Sequence, residues 1–253
     1  MAGPMNLVFL TTDDPLYLPP FYDRVLRERG AQTKAVYVAP PLYGKQTALD
    51  AALRYARTFG YGAAAKLALR IVMAKLTGRS VEAACRRHGV TCRPVRDVNA
   101  PEFLEELRRL GADFLISVSC PQLFKQPLID LPPQGILNIH GSILPRYRGV
   151  LPSFWMLANG EKKAGVSIYY VDTRIDAGEL CGQRIYDIGP DDTLESFIVR
   201  SKAIAAELLL EVLGRIDRGE ITRTPLDLTQ GSYHSWPDAA AFERFRAAGR
   251  KLG

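Results

Sequence analysis

Two short stretches hold residues whose types and spacing could carry out a reaction. In the first, Asn138-Ile139-His140-Gly141-Ser142-Ile143-Leu144-Pro145, an amide precedes an imidazole by two positions. The apolar run 135–137 ahead of them reads as a strand, so Asn138 and His140 project to the same face. In the second, Val171-Asp172-Thr173-Arg174-Ile175-Asp176-Ala177-Gly178, a carboxylate lies in a loop that follows the apolar strand 166–171 and closes on glycine. An imidazole moves protons near neutral pH. An amide N–H can steady a developing oxyanion, and a carboxylate can orient the imidazole or balance its charge. Asn138, His140 and Asp176 on two strand ends therefore suit an acyl-type transfer. Each also has a structural reading: Asn138 capping a turn, His140 satisfied at a strand end, and Asp176 forming an Asx turn before Gly178.

The elements that must position these groups can be read along the chain. Residues 7–10 form a buried strand ended by TTDDP, 15–20 a turn, 21–29 an amphipathic helix stopped by Gly30, and 33–38 a second strand. Strand, helix and strand in that order make a parallel βαβ unit the default. Asp13 and Asp14 fall at the carboxyl edge, where open sheets bind ligands, although capping the next helix explains them as well. No G-x-G-x-x-G follows the first strand, which disfavours a dinucleotide. Downstream, 81–88, 101–110, 151–159 and 193–218 read as helices, and 91–95 and 113–119 as strands.

Residues 47–76 are rich in Ala and Leu and read as two helices broken around Gly60 and Gly62. Leu67, Leu69, Ile71, Val72, Met73 and Leu76 exceed one stripe, which predicts burial of at least two faces. The segment is read as cover for one side of the sheet, a dimer surface or an acceptor-binding arm. A tail follows from 221, with GSYHSWP and a basic helix at 239–251; Tyr233, His234 and Trp236 are expected to anchor it. The expected fold class is α/β: a Rossmann-like open, mostly parallel sheet with helices on both faces. A catalytic unit spans 1–219, with the helical insertion at about 45–79 and the tail 220–253 packed on the body.

Composition sets bounds. At 253 residues, with 47% hydrophobic and 24% charged residues, the chain can bury an ample core. A net charge of +6 predicts a surface that draws anionic ligands. The four cysteines (Cys85, Cys92, Cys120, Cys181) show no C-x-x-C spacing, so neither a metal site nor a disulfide framework is expected, and a reducing cytoplasm fits. The start MAGPMNLVFL lacks the basic region and long apolar core of a signal peptide. Lys66, Arg70 and Lys75 interrupt the longest apolar-rich segment, so no membrane span and no membrane partner are expected.

NIHGSILPRYRG, followed by DTRIDAG with Asp176 36 positions after His140, resembles the core of the folate-dependent formyltransferases. The resemblance runs over about 80–219, with a looser match at 5–30. It implies 10-formyltetrahydrofolate as formyl donor, no metal, and Asn138, His140 and Asp176 as the catalytic set. It also implies that Cys120, Pro121, Gln122 and Leu123, with Val171 and Asp172, line the folate pocket. On the acceptor side stand Ser142, Arg146 and Arg148. Ser142 is read chiefly as a shaper of the loop, and the two arginines equally as solvated charges or as partners of an acceptor phosphate. PSFWMLANGEKKAGVSIYYVD is similar to the sugar-amine branch, which implies a nucleotide-linked amino sugar or another small phosphorylated amine as partner. The 34 residues after Gly219 leave little room for the nucleic-acid-binding domain of the branch that acts on tRNA, so nucleic acid is disfavoured. An aminoacyl-tRNA acceptor, hydrolysis of the formyl donor and an idle binding module stay open as alternatives, as does a homodimer.

Overall fold

Buried strands with no polar face need helices on both sides, and that requirement organises the molecule. The computed structural model describes residues 5–40 and 48–253; the expected start of the insertion, at 45–47, lies outside the described residues. β1 (Leu7–Thr12), β2 (Thr33–Ala39), β3 (Cys92–Pro94), β4 (Phe114–Val118), β5 (Ile136–His140), β7 (Lys163–Tyr170) and β8 (Glu179–Asp187) form one sheet in the order β3-β2-β1-β4-β5-β7-β8. The first five strands pair in parallel, whereas β5 with β7 and β7 with β8 are antiparallel. A two-stranded parallel ribbon joins β6 (Arg148–Gly149) to β9 (Tyr233–His234).

On one face, side chains of β1, β4, β5 and β7 pack with α1 (Leu18–Arg29), α4 (Val81–Arg87) and α8 (Leu194–Asp217). On the other, Val8, Leu10, Leu115 and Ile136 meet Phe103, Leu104 and Leu107 of α5 (Pro101–Leu110) and Leu128 of α6 (Gln126–Ile129). Helices on both faces of a mostly parallel sheet are the expected class. A third cluster gathers Phe154 and Trp155 of α7 (Pro152–Ala158), Phe59 of α2 (Ala48–Phe59) and Phe245 of α9 (Ala239–Ala247). This cluster fastens the tail. The Phe154 and Phe245 rings stack at 5.1 Å, and Trp236 Nε1 donates to Thr58 Oγ1 at 3.0 Å.

Three elements differ from the sequence reading. Helix α1 begins at Leu18, not after Pro20; the prolines occupy its first turn, where N–H groups have no intrahelical partner anyway. Strand β8 was not foreseen, because its burial is mixed along its length and gives no clean alternation. The largest correction concerns α3 (Tyr61–Leu76): only Ala74 of it is buried, and Leu69, Val72, Met73 and Leu76 are exposed, so the prediction of two buried faces fails. The helix break at Gly60 stands as expected, with Gly60 at φ +94° between α2 and α3.

Candidate functional site

The site begins with β5. Ile136, Asn138 and His140 alternate with Leu137 and Ile139, which point into the core shared with α1 and α8. Asn138 lies directly opposite Tyr169 of β7, and His140 opposite Ser167. Cross-strand partners share a face and sit within reach of each other. The Asn138 amide donates to the Tyr169 hydroxyl at 2.8 Å, and that hydroxyl donates to Asp176 Oδ1 at 2.7 Å. The second carboxylate oxygen, Oδ2, accepts from the Gly149 N–H at 2.7 Å. One tyrosine thus links the amide to the carboxylate. Burial pushes the Tyr169 hydroxyl well above its ordinary pKa, with the Asp176 charge adding to the effect, so it stays protonated and donates.

His140 is buried, and its Nε2 lies 2.7 Å from Tyr147 O. A carbonyl only accepts, so Nε2 carries the hydrogen, and neutral His140 keeps Nδ1 bare. Nδ1 is 3.7 Å from Asp176 Oδ1, beyond hydrogen-bond length. A proton taken up at Nδ1 would face that carboxylate, in a pocket where His140 and Asp176 side chains are only 8% and 12% exposed.

Backbone conformation concentrates strain here. Among the described residues, the non-glycine positions with left-handed φ are Ser119, Tyr147, Leu151 and Asp176, all at strand ends or loops along this edge. Such conformations persist where surrounding contacts impose them. Two glycines are demanded by close approach. A Cβ on Gly178 would stand 1.8 Å from Tyr170 O, and one on Gly149 would stand 2.2 Å from His234 O, with φ at +98°. Gly149 is therefore where the tail strand β9 reaches the carboxylate loop.

The structure brings Asn138, His140 and Asp176 together. The candidate donor-binding residues flank them. Cys120, Pro121, Gln122 and Leu123 leave β4, and Val171 and Asp172 leave β7, the strands on either side of β5. Because β7 runs antiparallel to β5, Val171 N–H meets Ile136 O at the start of β5 at 2.8 Å, whereas 120–123 follow the parallel strand β4 past the level of Ile139. The Gln122 side chain is committed to the backbone of Val98 and Arg96, at 2.9 and 2.8 Å. Asp172 accepts from Arg174 N at 2.8 Å and pairs with its guanidinium. These two side chains shape the loops. Leu123 and Ile175, 68% and 40% exposed, are the apolar surfaces left open. Burial pushes the Cys120 thiol up to about 11.

Of the three acceptor-side candidates, Ser142 is fully buried and donates to Arg146 O at 2.8 Å, a loop-shaping position. Arg146 pairs with Glu161, and Arg148 Nη1 reaches Ile175 O at 3.5 Å. Sequence reading missed Tyr169, because the register that sets it against Asn138 is a tertiary fact. It also missed Ser167, whose hydroxyl donates to Ser142 O at 2.7 Å and accepts from Leu144 N at 3.2 Å. A further cation, Lys202 of α8, donates to Ser119 Oγ at 2.7 Å. Burial lowers the Lys202 pKa and raises that of Asp14, each opposed in part by the other's charge. Its neighbour Ser201 lies against Gly141, 3.5 Å from where a Cβ would stand.

The family model described as Formyl transferase matches residues 63–213, starting within α3 and ending near the end of α8. The chain belongs to the formyltransferase family. It is 35% identical over 153 residues to a methionyl-tRNA formyltransferase of Geobacter metallireducens, a match covering 60% of this chain and 49% of that protein. The chain thus spans about half the length of the curated relatives it matches. In fold it is similar to an N-formyltransferase from Helicobacter canadensis, solved with folinic acid and dTDP-3-aminofucose. The TM-score is 0.60 at 17% identity, covering 91% of this chain and 71% of that one. It is also similar to glycinamide ribonucleotide transformylase 1 from Symbiobacterium toebii, with a TM-score of 0.63 at 19% identity, covering 89% and 96% of the two chains.

Proposed function

We propose that this formyltransferase moves a formyl group from 10-formyltetrahydrofolate to the primary amine of a small phosphorylated acceptor, most simply a nucleotide-linked amino sugar. The observation that carries the reading is the convergence of Asn138, His140 and Asp176 through Tyr169 at the carboxyl edge of β5. The residues present fit the donor. Leu123 and Ile175, the exposed apolar side chains of the two loops, would offer contact to a flat heteroaromatic ring, and the loops carrying them are braced by their own polar side chains. When bound, the donor supplies a one-carbon unit on a nitrogen leaving group.

The remaining chemistry belongs to the chain. An amide has two N–H groups, and Asn138 gives one to Tyr169, leaving a second to meet negative charge growing on the formyl oxygen. His140 takes a proton at Nδ1 from the attacking amine and returns it to the departing nitrogen, so protons balance across the transfer. Asp176 steadies the imidazolium in between. Held from both sides by Tyr169 and Gly149, this carboxylate needs no reorganisation as that charge appears. Lys202, which donates to Ser119 Oγ near the same edge, is the cation assigned in this reading to an acceptor phosphate.

A second reading, an aminoacyl-tRNA acceptor, is favoured by the names of the curated relatives. The test supplies 10-formyltetrahydrofolate with a panel of nucleotide amino sugars, with charged initiator tRNA, and with no amine, and follows acceptor mass. A gain of one formyl group on an amino sugar is expected. Comparable efficiency on the tRNA would replace the acceptor, and formate release without any amine would replace transfer by hydrolysis.

A further inference from the structure

Helix α3 is amphipathic the wrong way round for a helix covering a core. Successive residues turn by 100°, so positions 61, 65, 68, 69, 72, 73 and 76 occupy one arc of about 140°. That arc faces outward: Tyr61 is 73% exposed, Leu69 62%, Val72 52%, Met73 51% and Leu76 75%. Exposed Ala65 and Ala68 complete it, and no polar side chain interrupts it. Leu67, Ile71 and Ala74 turn toward the body. Lys66 borders the arc on one edge and Lys75 on the other. Single exposed apolar side chains are ordinary, but a continuous stripe of this kind marks an interaction surface.

We propose that α3 is an interfacial helix that lays this face on an anionic lipid surface. Charge decides among the occupants. Residues 61–79 carry Lys66, Arg70, Lys75 and Arg79 and no Asp or Glu. Lys66 donates to Gly253 O at 2.9 Å and Lys75 pairs with Asp13, both at the exposed surface where such contacts are worth little, so the ammonium groups can exchange them for lipid phosphates as the apolar face sinks into the headgroup boundary. A second copy laid face to face would bring only lysines to both rims, with no acid on the helix to pair them. Among the described residues no helix is long and apolar enough to cross a membrane, so α3 would lie on the surface.

Its place in the fold gives the contact a use. Arg70 pairs with Glu195 at the start of α8, and Arg79 Nη2 donates to Leu16 O, just past β1, at 3.1 Å. The helix is thus moored to the carboxyl edge, along which the catalytic residues lie. A bilayer under α3 would hold that edge close to the membrane.

Lipid binding by α3 is independent of formyl transfer and is measured without turnover. The full chain is sedimented with vesicles of phosphatidylcholine alone and of phosphatidylcholine mixed with phosphatidylglycerol, at low and high salt. Binding to the anionic vesicles, weakened by salt and much reduced on the neutral ones, is expected. Leu69→Gln combined with Leu76→Gln changes exposed positions only and should weaken binding at least about tenfold. Lys66→Glu should weaken it by roughly tenfold with the apolar stripe intact. Absence of binding to either vesicle, or variants that bind like the wild type, would overturn the proposal. So would a lipid-free dimer in light scattering that Leu69→Gln disperses, since the face would then belong to a second copy.

Discussion

Asn138 and Tyr169 stand directly opposite each other in the antiparallel β5–β7 pair, and the amide of the first donates to the hydroxyl of the second at 2.8 Å. The same hydroxyl holds Asp176, so the position of the carboxylate depends on a residue outside the Asn-His-Asp set. Tyr169→Phe removes both bonds while keeping the ring. Formyl transfer is expected to fall by about 10- to 100-fold in kcat, the cost of a loosened proton and charge relay. Folate affinity, measured calorimetrically with 5-formyltetrahydrofolate, should change little. A kcat within twofold of the wild type would show that Asp176 is held well enough by Gly149 alone.

Removing any of the three converging groups should be more damaging. His140→Ala and Asn138→Ala are each expected to lower kcat by about 100-fold or more, as losses of a proton carrier and of an oxyanion donor do. Asp176→Ala should fall in the same range. Steady-state rates beside calorimetric folate binding make the check, because an unfolded variant would lose both. Near wild-type turnover in any one of them would strip that residue of its role.

Gly149 connects the tail to the chemistry. Its N–H holds Asp176 Oδ2, and its Cα leaves no room for a side chain against His234 O. Gly149→Ala should part β6 from β9 and lower both Tm and kcat. If the variant showed a wild-type melt and rate, the ribbon would be dispensable for placing Asp176.

His234 makes the tail's docking sensitive to acid. Its ring lies against Tyr147 and Trp155, with centroids 5.2 and 4.7 Å away, and burial, followed by the Arg244 charge, lowers its pKa. The unfolded chain therefore takes the proton first as pH drops through the ordinary imidazole range, near 6.5. Stability should be full above that range and decline below it. Thermal melts from pH 7.5 to 5 should show a steeper acid loss in the wild type than in His234→Phe, and parallel curves would contradict the assignment.

Lys202→Ala should raise the KM for a phosphorylated acceptor several-fold more than it lowers kcat, since loss of a charge that grips a non-reacting phosphate removes binding common to ground and transition states. An unchanged KM would place the acceptor elsewhere on the edge.

Much of this protein could be read from the order of its residues. The buried run at Leu7, the spacing of Asn138 from His140, and the glycine-closed loop around Asp176 are local signals, set by side-chain periodicity and by backbone shapes that few residues tolerate. They were enough for a mostly parallel α/β sheet and for three of the four linked side chains. Tertiary structure decided the rest. Which β7 residue meets Asn138 depends on a register fixed by packing across the sheet, and a one-residue slip would have put Tyr169 on the other face. That His234 backs Gly149, and that Lys202 approaches Ser119, are meetings of segments more than 80 positions apart in the chain. The outward turn of Leu69 and Leu76 was hidden for the same reason: periodicity reveals that a helix has an apolar face, and only the neighbours it packs against determine which way that face points.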